Sequence, residues 1–119
     1  MMNFVFKEVN LGKAQADGAF TVTLSGNDYK PYLKSYVQVT VEPDTATTGS
    51  IAIEVSPYLP STFEPVYDDL GAPLTVSLSA METVEFAAAL SDIKFTPTAV
   101  DLLYNVYVTV WQEPEAVKV

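Results

Sequence analysis

Ser35-Tyr36-Val37-Gln38-Val39-Thr40-Val41-Glu42 decides the fold class. Val37, Val39 and Val41 fall at every second position, with Tyr36, Gln38, Thr40 and Glu42 between them. Successive side chains of an extended backbone point to opposite faces, so this stretch reads as a strand with one buried face and one outward face.

The same alternation extends in both directions. Towards the N-terminus, Phe20, Val22 and Leu24 alternate with Thr21, Thr23 and Ser25, and Phe4 to Val9 supplies an earlier strand. Towards the C-terminus the pattern recurs at Ile51, Ile53 and Val55, and again at Leu74, Val76 and Leu78. It continues at Val84 and Phe86, at Ile93 and Phe95, and at Val106, Val108 and Val110. About eight short strands rich in Val, Thr, Phe and Tyr predict an all-β chain folded as an antiparallel β-sandwich. Jelly-roll and immunoglobulin-like topologies share this pattern, so strand order is left open. Met81 to Leu90 carries an alanine cluster with good helix propensity, but Thr83, Val84 and Phe86 favour extended structure there.

Turn residues punctuate these runs. Asp17-Gly18, Ser25-Gly26-Asn27-Asp28 and Thr47-Thr48-Gly49-Ser50 are turn clusters joining strands by tight connections. Between Pro57 and Pro73 the chain also holds Pro60 and Pro65, and proline removes ladder donors. Residues 57–73 are therefore expected to form a long loop or arm, with at most a short edge strand around Thr62 to Tyr67. Gln112-Glu113-Pro114-Glu115 is expected to end the last strand, leaving residues 112–119 as a mobile tail.

At 119 residues the chain fits one domain, 1–119, and nearly half of its residues are apolar, enough to build a core without a metal or crosslink. There is no cysteine, so the compartment is not reported by disulfides. The first residues, Met1 to Glu8, carry charge by Lys7 and lack the apolar stretch of a signal peptide, and no run approaches a spanning segment. Synthesis and folding in the cytosol are expected. The net charge is −9, with six lysines against fifteen carboxylates and neither arginine nor histidine. Phosphate recognition leans on guanidinium forks and basic grooves, and acid–base catalysis near neutral pH most often recruits histidine. Nucleic acid and anionic membrane are thus disfavoured as partners, and no enzymatic activity or cofactor is expected.

Possible chemistry was weighed against this background. Glu64, Asp68 and Asp69 with Gly71 form an oxygen-rich segment that suits calcium in principle, but the spacing matches no calcium motif and a solvated acidic loop explains it as well. Any two carboxylates can be imagined as a glycosidase pair, yet alternation does not place a preorganised pair. Serine nucleophiles lack a His or Cys partner, and zinc lacks its usual ligands. The aromatic residues are more informative. Tyr29, Tyr32 and Tyr36 crowd one loop-to-strand segment beside Lys30, Pro31 and Lys34, while Tyr107 and Trp111 fall opposite the valines of the last strand. Phe63 and Tyr67 lie in the proline-rich stretch. These seven residues are the candidate interface. Burial of both faces within the monomer, a protein contact and a carbohydrate platform are the competing readings.

The order Gly49-Ser50-Ile51-Ala52-Ile53-Glu54-Val55, Phe63-Glu64-Pro65-Val66-Tyr67-Asp68, Gly71, Leu74-Thr75-Val76, Thr83-Val84-Glu85-Phe86, Ile93-Lys94-Phe95-Thr96-Pro97 and Tyr107-Val108-Thr109-Val110-Trp111 resembles small β-sandwich structural proteins of tailed-bacteriophage virions. The resemblance covers about half the chain and is one of strands and turns, with no functional residues to transfer. It implies a capsid decoration protein or minor head or tail component, located in the virion after assembly in the host cytoplasm. Such a protein binds the major capsid protein or other virion proteins, with homo-oligomers expected, and performs no chemistry. A carbohydrate-binding or adhesin-like module is the alternative from another class.

Overall fold

The structure is a computed structural model that describes residues 3–8, 14–15, 19–25, 28–44, 49–57, 62–98 and 103–113. Ten strands run through them: β1 Asn3–Glu8, β2 Ala14–Gln15, β3 Phe20–Thr23, β4 Ser35–Pro43, β5 Ser50–Ser56, β6 Glu64–Pro65, β7 Thr75–Ser77, β8 Glu82–Ala88, β9 Asp92–Pro97 and β10 Leu103–Gln112. No helix occurs among the described residues. Two strands, β2 and β6, are only two residues long. The eight others are those that alternation predicts, and the alanine-bearing stretch after Met81 is extended, as its β-branched and aromatic residues favour.

Every pairing is antiparallel, and the strands divide between two sheets. One has the order β1-β10-β4-β8, with β2 continuing the β1 edge along β10; the other has the order β3-β9-β5-β6, with β7 also on β5. The chain changes sheet at each step between long strands except from β5 to β7. Pairings are nested: β1 with β10, β3 with β9, β4 with β8, β5 with β7. Nested antiparallel pairs distributed over two facing sheets make a jelly roll, which decides between the two topologies left open by the sequence.

Registry explains the core. Val37 lies opposite Val110, Val39 opposite Val108 and Val41 opposite Val106. In the facing sheet Val22 lies opposite Ile93, and Ile53 opposite Phe95. All of these are buried, together with Leu24, Ile51, Val76, Leu78, Leu90 and Tyr104. Each such aliphatic or phenyl side chain contributes on the order of 1.5–3 kcal/mol on leaving water. A core of this kind holds two sheets together without crosslinks, and the alternation in β4 and β10 is its direct cause.

At one end of the sandwich the inward row turns polar. Ser35 and Gln112 face each other across β4 and β10 and are both buried. Gln112 Nε2 donates to Ser35 Oγ at 2.8 Å and to the Lys30 carbonyl at 2.7 Å, while its Oε1 accepts from Lys30 N at 3.1 Å. Nearby, the Tyr29 hydroxyl donates to the Leu90 carbonyl. Burial of Tyr29 pushes its phenol above the ordinary value, opposed by its hydrogen bond with Ser35 and assisted by the charge of Asp92. This network ties the segment from Tyr29 to Ser35 to the last strand and to the turn before β9.

The short edge strand expected around Thr62 to Tyr67 is present as β6, and from Thr62 onward the proline-rich segment folds onto β5 as a flap. Glu64 and Pro65 pair with Val55 and Glu54, Leu74 N donates to the Val66 carbonyl at 2.6 Å, and Tyr67 bridges to Pro73. Pro65 and Pro73 are tolerated because they lie at the sheet margin, where no further strand among the described residues requires their donors. Residues 58–61 of the expected arm lie outside the described residues. One expectation, at the C-terminal end, needs correction: Gln112 belongs to β10 and is 2% exposed, so it is not part of a tail. Its amide supplies both halves of a backbone-like pair to Lys30, which makes its burial possible. The expected mobile residues 114–119 lie outside the described residues.

Candidate functional site

The outward side chains of β10, β4 and β8 form three cross-strand rows. Trp111, Tyr36 and Ala87 make the first; Thr109, Gln38 and Glu85 the second; Tyr107, Thr40 and Thr83 the third. Rows are two residues apart along each strand, about 6.6 Å, so Tyr107 stands roughly 13 Å from Trp111 measured along β10. Alternation causes this arrangement: the same strands that bury valine on one face are bound to display the intervening residues on the other.

Each row has its own chemistry. Trp111 and Tyr36 are half-buried cross-strand neighbours, and the Lys34 ammonium sits 5.4 Å from the centre of the Tyr36 ring. That cation–π contact favours an orientation with one ring face directed at Lys34. In the middle row Gln38 Nε2 donates to Glu85 Oε1 at 3.1 Å. In the third row the Thr40 and Thr83 hydroxyls are 2.8 Å apart. Tyr107 donates its hydroxyl proton to Glu42 Oε1 at 3.2 Å. Desolvation holds the Tyr107 phenol above its ordinary pKa, and the Glu42 charge and hydrogen bond act in the same direction, so Tyr107 remains a neutral donor.

A shallow concavity of about 450 Å³ opens over the first two rows, lined by Tyr36, Gln38, Glu85, Ala87 and Trp111. It offers ring surface, an amide and a carboxylate side by side. This is recognition chemistry: an apolar contact area with polar groups able to fix an orientation.

Three of the seven candidate interface residues, Tyr36, Tyr107 and Trp111, share this face. The others do not join them. Tyr29 is 6% exposed and belongs to the core, because its hydroxyl finds the Leu90 carbonyl inside the sandwich end. Tyr32 is exposed on the segment that follows. Phe63 packs beneath the Lys94 ammonium, 5.5 Å from its ring centre, on the opposite sheet. Tyr67 is exposed on the flap beside β8. Sequence reasoning missed Gln38 and Glu85 as members of the site, although their outward parity with Tyr36 and Ala87 was available from alternation.

The acidic loop has a structural use. Asp68 Oδ1 accepts from Leu70 N at 2.9 Å and from Ala72 N at 3.0 Å, and Gly71 takes the left-handed conformation, φ 81°, within the turn so formed. Among the described residues no group of three or more His, Cys, Asp or Glu is disposed to hold a metal ion. No protein-family model and no curated protein sequence matches the chain.

Proposed function

We propose that the domain is a non-enzymatic structural component of a tailed-phage virion, attaching to the capsid surface or another virion protein through the outer face of the β1-β10-β4-β8 sheet. The observation that carries this reading is the Trp111–Tyr36 row, two large aromatic residues side by side on an outward sheet face beside an open concavity. Aromatic side chains of this kind are the usual anchors of protein interfaces. The resemblance of residues 49–111 to virion β-sandwich proteins supplies the class of partner, and the jelly roll is an architecture found in capsid proteins, though it hosts other functions too.

The test is co-sedimentation of the purified chain with phage heads that lack it, with Trp111→Ala/Tyr36→Ala as the comparison. Binding that is lost in the double variant, with an unchanged thermal midpoint, supports the reading. Failure of the parent chain to associate with heads or with any virion component overturns it.

The Gln38–Glu85 pair beside the rings favours one second reading, a carbohydrate-binding module, since sugars combine stacking on rings with hydrogen bonds to amides and carboxylates. A glycan array probed with the parent chain and with Gln38→Ala distinguishes it: hits that disappear in the variant favour the sugar, and a blank array removes it.

A further inference from the structure

The margin of the sandwich formed by β8 presents a second surface, adjoining the aromatic rows at Glu85 and Ala87. β8 pairs with β4 along seven residues, and among the described residues no strand and no backbone hydrogen bond occupies its other edge. The margin of the facing sheet, β7 and the flap, stands across from this edge, and between the flap and β8 runs a groove of about 450 Å³. Val66 and Leu74 line the flap side; Val84 and Phe86, both half-buried, line the strand side. Around the mouth lie Asp68, Asp69 and Glu85, and Glu82 begins the strand with its side chain exposed. Tyr67, Leu70 and Met81 expose large apolar surface nearby, Leu70 at 93%.

An open strand edge is a template for another strand, and proteins usually block it with charge, proline, bulges or a covering segment. Here β8 holds no proline, and its register with β4 runs without a shift. The charged side chains lining the groove, Asp68, Asp69 and Glu85, are all carboxylates. They oppose a second copy of this chain, which would bring its own Asp68, Asp69, Glu82 and Glu85 against these and carries −9 overall. They do not oppose a cationic strand; they attract it.

We infer that the β8 edge is a docking site for an extended, basic peptide segment of a partner protein, which adds as a further strand to the β1-β10-β4-β8 sheet. Main-chain hydrogen bonds to β8 fix its register. Alternate side chains, apolar, enter the groove between Phe86 and Leu74, and lysines or arginines on the strand or at its ends meet Asp69 and Glu82. This is strand addition with pockets for every second residue. It holds whether or not the aromatic rows bind a virion protein, because it uses the backbone edge of β8 and the inward side chains Val84 and Phe86, although Glu85 and Ala87 border both surfaces.

The probe is a synthetic peptide of β8's own length alternating valine with lysine, titrated into the whole chain and followed by backbone amide NMR and fluorescence anisotropy. The expected result is saturable binding that perturbs the amides of residues 82–88 and of the flap, weakened by salt. Asp69→Lys/Glu82→Lys, at two exposed positions, is expected to weaken it at least about tenfold while leaving the fold intact. A peptide with glutamate in place of lysine is not expected to bind. An N-methylated version of the valine–lysine peptide keeps its charge but loses its strand donors, and it is expected to lose binding. Equal binding by the N-methylated peptide means adsorption by charge alone and overturns the inference. So does absence of binding, amide perturbation confined to another surface, or a dimer in light scattering whose interface excludes the peptide from β8.

Discussion

Gln112 holds Lys30 from both sides: its Nε2 donates to the Lys30 carbonyl at 2.7 Å and its Oε1 accepts from the Lys30 amide at 3.1 Å. The side-chain amide thereby acts as one residue of an extra strand, closing the end of the sandwich where no strand is available. Replacing Gln112 with leucine keeps much of the volume but strands a buried donor and acceptor. The expected cost is about 2–3 kcal/mol, read as a lower urea midpoint with an unchanged slope. A change below about 0.5 kcal/mol contradicts the assigned role.

Alkaline pH weakens the fold through the buried phenols. Burial pushes Tyr104 up to about 12, whereas in the unfolded chain it titrates near 10. The native state therefore retains a proton that the unfolded state has released, so stability is full below pH ~10 and falls as pH rises towards ~12. Tyr29 shifts in the same direction and adds to the effect. Urea titrations across this interval are expected to show a steeper loss for the parent chain than for Tyr104→Phe. Parallel curves for the two proteins exclude Tyr104 as the cause.

Core and surface positions separate sharply. Phe95 is completely buried opposite Ile53, so Phe95→Ala is expected to cost about 3–5 kcal/mol and to leave the chain marginally folded. Leu70→Ala, at a position 93% exposed, is expected to change stability by less than about 0.5 kcal/mol. Thermal midpoints of the two variants measured side by side check the contrast.

The flap depends on its turn. At Gly71 a Cβ meets no atom within 4 Å, so Gly71→Ala isolates the conformational strain of φ 81°, about 1 kcal/mol. Asp68→Ala removes the acceptor for two amides and is expected to cost about 1–2 kcal/mol. Faster amide exchange at Leu70 and Ala72 in Asp68→Ala is the direct readout. Because Asp68 Oδ1 is committed to these amides, added calcium is expected to leave the thermal midpoint of the parent chain unchanged.

Alternation made the strands legible, and it carried more information than apolar residues alone suggest. The parity that turns Val106, Val108 and Val110 inward also turns Tyr104 and Gln112 inward, and the parity of Val37 and Val39 turns Ser35 inward. Reading Gln112 as the start of a tail followed Pro114 and the charges beside it and set aside its parity. The same rule turns Tyr36, Tyr107 and Trp111 outward, but only the register of β4 with β10 brings the three onto one face. The burial of Tyr29 and the partner of the short edge strand at Glu64–Pro65 were not legible, because the Leu90 carbonyl and the edge of β5 are distant in sequence and no local pattern announces them. Strand order was hidden for the same reason: pairing joins residues as far apart as Asn3 and Gln112.

That nesting has a consequence during translation. Of the described strands β1 is made first, and its described neighbour is β10, whose first residue, Leu103, follows Glu8 by most of the chain. At roughly 5–20 residues per second the ribosome needs about 5–20 s to supply it. Throughout that interval β1 lacks the one strand that pairs with it among the described residues. Nascent chains arrested before Leu103 therefore leave β1 open to chaperones and to aggregation, and emergence of β10 is the event that ends the exposure.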